Sequence, residues 1–597
     1  MAEKIQPRNG GIYMNKKHLR TYVDDFFDTL EMYEDLARGH NFKTYIHQSV
    51  CKFFDFESKE TAMDVYLSFF DAYRITMGES QNAFADLLDM MRSYEEKAST
   101  LTARQRDHYV HSVNVFLLGL AVFSQNAAYR RAFNTSVMDK KSYPFSYDTR
   151  NEEFFYRWGI ASLFHDAGYP MEIIHKQTDQ YLNFIVDAVG KKEEKVDTYL
   201  AFSDFSKFNT LPQLEGFPSF CQGFLQSYPG MTLENVSRPL DLLSAGIAQS
   251  LSVAFPSVKE KLDGFIADMQ RFHFVDHGFY SAVIVLQWYA YLMQLSGWKS
   301  EYFFSPILNC ATAILLHNYY GNVLQKEPFS LPPLKANLHP IGWLLILCDE
   351  LQEWNREAYG WIDKTKPAAD RSDITVTDGY IKVVYVSEKA SLGSGFEREK
   401  ENLLYSRLDL DQLFPEGFEV SSVSAGSAAW NMHQTFRETS VIPRPLLPQL
   451  EEVAKMIHSD YVQKHGSSKK PVPPELREWD ELPEDIKYSN LSQARHISEK
   501  LRTVGCGIAS ADSGFAPLSE LESGEIEALS ALEHQRWVAE RRASGWTLGP
   551  KKDIAKKISP YLVSWEDLTE PIRDLDRDAV RNIIPLLARV GLIAYRK

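Results

Sequence analysis

Histidine and aspartate recur in this chain where apolar runs break: His111 in RDHYVHSVNVFLLG, His165 and Asp166 in ASLFHDAGYP, His277 in DHGFYSA, His317 in AILLHNYYG and Asp349 in LLILCDELQEWNR. Side chains set in such runs are drawn out of water on folding, and a buried carboxylate is costly unless it is paired or bound to a cation. Several of them converging on one ion would remove that cost, so the set reads as a two-metal hydrolytic centre. Neighbouring helix residues point about 100° apart, which lets His165 and Asp166 grip one ion together or place the aspartate between two. Nitrogen and oxygen donors without thiolate suit one or two ions of Mn, Fe, Co, Zn or Mg.

These motifs resemble those of the HD-domain phosphohydrolases over roughly residues 40–360, and CDELQEW is similar to the closing helix of a bacterial subgroup of that superfamily. The resemblance implies a helical metalloenzyme in which His111, His165, Asp166 and Asp349 hold one metal, while His277 and His317 share Asp166 to hold a second. It implies catalysis at His165, Asp166, His277 and His317, with a nucleotide as substrate. Deoxynucleoside triphosphate triphosphohydrolase activity is the first expectation. A cyclic-nucleotide or oligonucleotide phosphodiesterase is the alternative, and a catalytically silent, nucleotide-responsive scaffold a third. With a single ion, His277 and His317 would become substrate contacts instead. Arg106 and Lys176, close in sequence to ligands, are candidate phosphate clamps. His108 lies three residues before His111, on nearly the same helical face, and is a further candidate phosphate contact. The isolated His273, His339 and His433 read as ordinary core residues.

At 597 residues the chain is too long for one core. Hydrophobic residues at 44% and charged residues at 24% describe an ordinary globular composition. A net charge of −15 argues against a nucleic-acid coat and favours a small phosphorylated ligand neutralised by metals. Five cysteines, Cys51, Cys221, Cys310, Cys348 and Cys506, are odd in number and lack CxxC spacing, which suits a reducing cytosol. The opening MAEKIQPRNG has no signal-peptide core, and the longest apolar stretch, AVIVLQWYAYLMQL, is too short to span a bilayer. A cytoplasmic location without membrane contact is expected, and a homo-oligomer fits. No GxSxG elbow, phosphate loop or dinucleotide fingerprint offers competing chemistry.

The elements that must position these residues are mostly helical. Residues 18–100 show apolar positions three and four apart, and the first histidine motif follows. Residues 176–270, mostly helical in pattern, separate Asp166 from His277 and would build a cap or substrate wall. After Arg356 the two-residue alternation of SDITVTDGYIKVVYVSEKAS around Asp378-Gly379 predicts a hairpin in a small β-rich module over 361–450. A helix with EEVAKMIHSDYVQ and the Pro- and Lys-rich stretch KHGSSKKPVPPELREWD, together 451–480, predict a domain boundary.

The C-terminal stretch 481–597 contains HxRW, GW…GP, PxLVxWxxL and DRD elements. They resemble the ryanodine-receptor repeat (RyR) domain and imply a third, mostly helical unit. Trp537, Trp546, Tyr561 and Trp565 offer rigid aromatic faces beside Arg536, Arg541, Lys551 and Lys552, a mixture that can stack a base and contact phosphate. The fold class expected is therefore mainly α: a helical hydrolase core over 1–360, the β module and a C-terminal sensor. The resemblance implies regulation by a second nucleotide, a possible nucleotidyltransferase partner, and an architecture similar to hydrolases of antiphage defence.

Overall fold

A computed structural model shows a mainly α-helical chain with a small β module and a helical C-terminal region. It describes residues 19–73, 90, 105–106, 108–138, 149–188, 196–212, 238–296, 300–354, 358–359, 369, 371–387, 395–424, 446, 449–465, 473–543, 545–553 and 556–596. The helices that carry the candidate residues or pack around them are α1 (Leu19–Thr29), α2 (Phe42–Asp55), α3 (Lys59–Ala72), α4 (His108–Gln125), α5 (Arg150–Phe164), α6 (Tyr169–Ala188), α7 (His277–Ser296), α8 (Ser300–Tyr319), α9 (Pro340–Leu351) and α10 (Phe396–Arg407). In the C-terminal part they are α11 (Leu450–His465), α12 (Glu484–Thr503), α13 (Ser523–Ala543) and α14 (Glu570–Arg581).

Helix α4 is the axis of the body. It is buried continuously from His108 to Phe123, as expected of a helix that is apolar all round, and packs against α1, α3, α5 and α9. Immediately before it, the short strand β1 (Gln105–Arg106) pairs antiparallel with β2 (Ala358–Tyr359). That pairing ties the entry of α4, which carries His111, to the chain leaving α9, which carries Asp349. Between Asp166 and His277 the helical expectation holds only in part. Residues 196–212 are irregular apart from the single turn Phe205–Lys207, and Phe202, Phe205 and Phe208 pack on the core, Phe205 against Phe279.

The hairpin forms about Asp378-Gly379: β3 (Arg371–Val376) and β4 (Tyr380–Ser387) pair antiparallel, with Val376 opposite Ile381. A third strand, β5 (Gly417–Ser424), then joins β4 in parallel after the crossover helix α10. The outer edge of β5 is closed by side chains rather than by another strand. Glu401 Oε1 accepts from the Val420 amide at 3.1 Å and Glu397 Oε1 from that of Ser422 at 2.5 Å, so two carboxylates one helical turn apart on α10 satisfy amides that an edge strand leaves unpaired. The apolar face of the sheet, including Ile374, Val383 and Phe418, belongs to the same core as the helices.

A second core lies in the C-terminal part, where β6 (Cys506–Ser510) and β7 (Leu592–Arg596) pair antiparallel. Helix α11 contributes Leu450, Val453, Ala454 and Ile457 to this core, so it belongs with the C-terminal unit rather than with a linker. Residues 473–482 also pack there, through Trp479. Tyr405 of α10 packs against both cores. Among the described residues no single helix is long and apolar enough to cross a membrane.

Candidate metal centre

The His-Asp pair sits in a turn rather than within a helix. Helix α5 ends at Phe164, and the turn is closed by Ala167 N to Phe164 O at 3.1 Å and Tyr169 N to Asp166 O at 2.9 Å before α6 begins. His165 still has helical dihedrals, so the two side chains diverge as neighbouring helical residues do. Two glycines permit close packing here, one of α7 on this turn and one of α7 on α8. A Cβ on Gly168 would stand 2.5 Å from the His277 carbonyl, and one on Gly278 would stand 2.7 Å from the His317 ring.

Around this turn the ligating atoms of His111, His165 and Asp166 lie within 4.8 Å of one another, as do those of Asp166, His277 and His317. Asp166 is common to both groups. Asp349 Oδ1 adds a further acceptor, 2.9 Å from His111 Nε2 and 3.6 Å from His165 Nε2. The six dispersed side chains are thus brought into one buried cluster from five segments: α4, the turn after α5, α7, α8 and α9.

The outward hydrogen bonds of the four imidazoles share one pattern. His165 Nδ1 donates to the Ser162 carbonyl at 2.7 Å and His317 Nδ1 to the Ile314 carbonyl; a carbonyl only accepts, so both bonds fix the proton on Nδ1. His111 Nδ1 meets Gln352 Oε1 at 2.5 Å, while the Gln352 amide nitrogen is turned to Trp354 O. His277 Nδ1 meets Glu172 Oε2 at 2.7 Å. All four Nε2 atoms consequently face inward, where Asp166 and Asp349 present only oxygen. His165 Nε2 is buried there without a hydrogen-bond partner, and His277 Nε2 stands 3.2 Å from His317 Nε2. Lone pairs opposed in this way require a proton or a cation between them, and the outward Nδ1 bonds are the orientation that metal-bound imidazoles use.

The ion-free electrostatics express the same crowding. Burial opposes ionisation of Asp166, but His165 and His108 hold it well below the usual carboxylate range. Burial likewise opposes ionisation of Asp349, which the neighbouring His111 and His165 depress strongly. Burial works against a charge on His277, yet Glu172 and Asp166 raise it to about 9. Burial and the neighbouring His277 push His317 down to about 3. The donor set, four imidazoles and two carboxylates without sulfur, fits one or two borderline or hard divalent ions.

The remaining sequence candidates divide. His108 is buried, with Nδ1 on Asp166 Oδ2 at 2.7 Å and its ring against Tyr169, so that nitrogen is directed to the Asp166 carboxylate rather than left free for a phosphate. Lys176 is half-exposed and pairs with Glu172 beside His277. The Arg106 backbone lies in β1, and its side chain lies outside the described residues. His339 is a buried core residue whose Nδ1 caps α9 by accepting from Gly342 N at 3.0 Å. His273, expected in the core, is instead half-exposed with φ 54° and stacks on Tyr199. His433 falls outside the described residues. Glu172, Gln352 and Asn318, whose Nδ2 is 3.1 Å from His277 Nε2, complete the surroundings, and none was singled out from the sequence.

In the C-terminal unit the aromatic residues form a run of contacts. Trp565 and Trp537 flank His534 at 6.0 and 5.9 Å between ring centroids, and Arg541 lies over both Trp537 and Trp546, at 5.7 and 5.2 Å. All three indoles are half-buried, as is Tyr561. Arg536, expected as a phosphate contact, is buried instead. Its guanidinium is held by Glu533 at 2.8 Å and Glu540 at 2.5 Å, with Lys500 on the other side of Glu533. These two cations and two carboxylates join α12 to α13, and the buried pairing turns the Arg536 guanidinium inward.

A family model for the RyR domain matches residues 517–594. The match covers the C-terminal part of this unit, from ahead of α13 into β7, and with it Trp537, Trp546 and Trp565.

Proposed function

We propose that the chain is an HD-type metal-dependent phosphohydrolase acting on nucleotides, with deoxynucleoside triphosphates as the first substrate class. The single observation that carries the reading is the convergence of four Nε2 atoms on Asp166 and Asp349, each imidazole held from outside through Nδ1. His111, His165, Asp166 and Asp349 would hold one ion, and His277 and His317 with Asp166 a second. Divalent ions there would supply Lewis-acid activation of water and neutralise charge developing on phosphoryl oxygens. The chain's own part is to fix the ring orientations, to hold the donor set largely out of water, and to present the half-exposed Lys176, paired with Glu172, beside His277.

The Asp166–His277–His317 group favours a second reading, a phosphodiesterase acting on cyclic nucleotides or oligonucleotides, because paired ions clamp both the attacking and the leaving oxygen of a diester. Products separate the two. With Mn²⁺ and a nucleotide panel, inorganic triphosphate and nucleoside identify the first reaction, and a linear nucleotide identifies the second. Turnover and bound metal should both be lost in His165→Ala and Asp166→Ala; retention of both would end the assignment. The RyR-matching unit is proposed as the regulatory module, with a nucleotide as its ligand, and a role in antiphage defence suits this combination.

A further inference from the structure

The N-terminal helices carry another group of metal-ligating side chains, remote in sequence from the histidine cluster and without a part in its chemistry. His47 and Cys51 are four residues apart on α2, so they project from one face, and Asp24 meets them from α1. One ligand atom from each lies within 4.8 Å of the other two. His47 Nε2 is 2.7 Å from Asp24 Oδ1, and the imidazole stacks on Phe27 at 4.6 Å between centroids and 16° between planes. Stacking on a buried phenylalanine fixes the ring with Nε2 turned toward Asp24 and Cys51. All three residues are partly exposed, which leaves room for solvent to complete a coordination sphere. Arg20 lies against the Cys51 side chain while its guanidinium also bonds Asp55 at 2.6 Å, and that carboxylate offsets the positive charge beside the sulfur.

We propose that Asp24, His47 and Cys51 form a separate transition-metal site of the zinc class, with three protein ligands and solvent, that clips α1 to α2. One thiolate, one imidazole and one carboxylate select Zn²⁺ or Co²⁺ over Mg²⁺ or Ca²⁺, which take oxygen donors. On binding, the Cys51 thiol gives its proton to solvent and Sγ forms the metal–sulfur bond; no electron is transferred. The clip acts on a supporting wall of the fold, because α1 buries Tyr22, Val23, Phe26 and Phe27 against the core that contains α4. An ion here would hold that wall in place without touching the histidine cluster.

Sulfur makes the site distinguishable from the proposed hydrolytic centre, whose donors are nitrogen and oxygen only. The full-length chain, stripped by chelation and titrated with Co²⁺, should develop a near-ultraviolet sulfur-to-cobalt charge-transfer band whose plateau corresponds to one thiolate-bound Co²⁺ per chain, whatever cobalt the histidine cluster takes up. The band should vanish in Cys51→Ser, weaken in His47→Gln and Asp24→Asn, and persist in Asp166→Ala. Cys51→Ser should also bind one Zn²⁺ fewer per chain and lose the part of the zinc-induced rise in melting temperature that the parent shows, with nucleotide hydrolysis unchanged. Absence of the band, or an identical band in Cys51→Ser, overturns the proposal. Metal retained by Asp166→Ala outside this site would count against the hydrolytic centre and leave the cobalt result standing.

Discussion

Glu172 Oε2 lies 2.7 Å from His277 Nδ1, on the side of the ring away from His317, and the second oxygen of the same carboxylate takes the ammonium of Lys176. Burial opposes its ionisation, but His277 and Lys176 draw it down to about 2. Glu172 is therefore an anionic brace that sets the imidazole angle and makes Nε2 a stronger donor. Loss of such an outer partner typically costs about 10–100-fold in metal affinity or activity. Glu172→Ala should fall in that range, measured by metal titration and turnover, while Glu172→Gln, which retains an oxygen acceptor, should recover part of the affinity. An unchanged affinity in Glu172→Ala would remove the bracing role.

Helix α10 joins the histidine cluster to the C-terminal unit through named contacts. Lys400 Nζ bonds the backbone carbonyl of Glu350 at 2.8 Å and Arg407 bonds its carboxylate at 2.7 Å, and Glu350 follows the proposed ligand Asp349. On the same helix, Tyr405 packs in both cores. If a nucleotide bound to the C-terminal unit changes hydrolysis, the coupling has a physical route, and couplings of this kind are commonly about 1–3 kcal/mol. In Lys400→Met/Arg407→Met the response to the regulatory nucleotide should shrink toward none while metal content is kept. Full response in the double variant would show that the route runs elsewhere.

The histidine cluster was legible in the sequence because each of its residues interrupts or ends an apolar run, and burial of a polar group inside such a run is a local signal. Its supports were not. Glu172, Gln352 and Asn318 lie within a turn or so of ordinary helices, and their role depends on which helix faces them, which is non-local information. The Asp378-Gly379 hairpin was legible for the same local reason, whereas β5 was not, since parallel pairing through α10 leaves no adjacent signature. Arg536 shows the converse error. Its charge suggested a phosphate contact, but a charge type does not reveal whether Glu533 and Glu540 already surround it.

Glu401 gives a pH signature. Burial, with Glu397 and Glu419 nearby, pushes its carboxyl up to about 8, although the Val420 amide opposes the shift. An unfolded glutamate ionises near about 4.3, so across the interval up to about 8 the folded chain keeps a proton that the unfolded chain has lost. The stability from this group is complete below about pH 4 and declines as pH rises, by up to about 1.4 kcal/mol per unit. Glu401→Gln keeps an oxygen to accept from Val420 and has nothing to titrate. Its melting temperature should match the parent's near about pH 4–5 and exceed it increasingly toward about pH 8; parallel curves would contradict the assignment.

Where the chain can be cut depends on the second core. A truncation at Val472, inside the Pro- and Lys-rich stretch, removes α12 through β7 but leaves α11, so Leu450, Val453, Ala454 and Ile457 lose the surface they pack on. Full burial of one aliphatic side chain is worth about 1.5–3 kcal/mol, and an exposed apolar stripe of that size promotes association. A chain ending at residue 445 avoids the stripe, because it stops ahead of Leu446, the first member of that core. The shorter chain should remain monodisperse, bind metal at the histidine cluster and retain hydrolysis without regulation by a second nucleotide. The chain ending at Val472 should aggregate in sedimentation or light scattering. Equal solubility of the two would mean that α11 finds cover on the helical body, and the boundary would then lie after it.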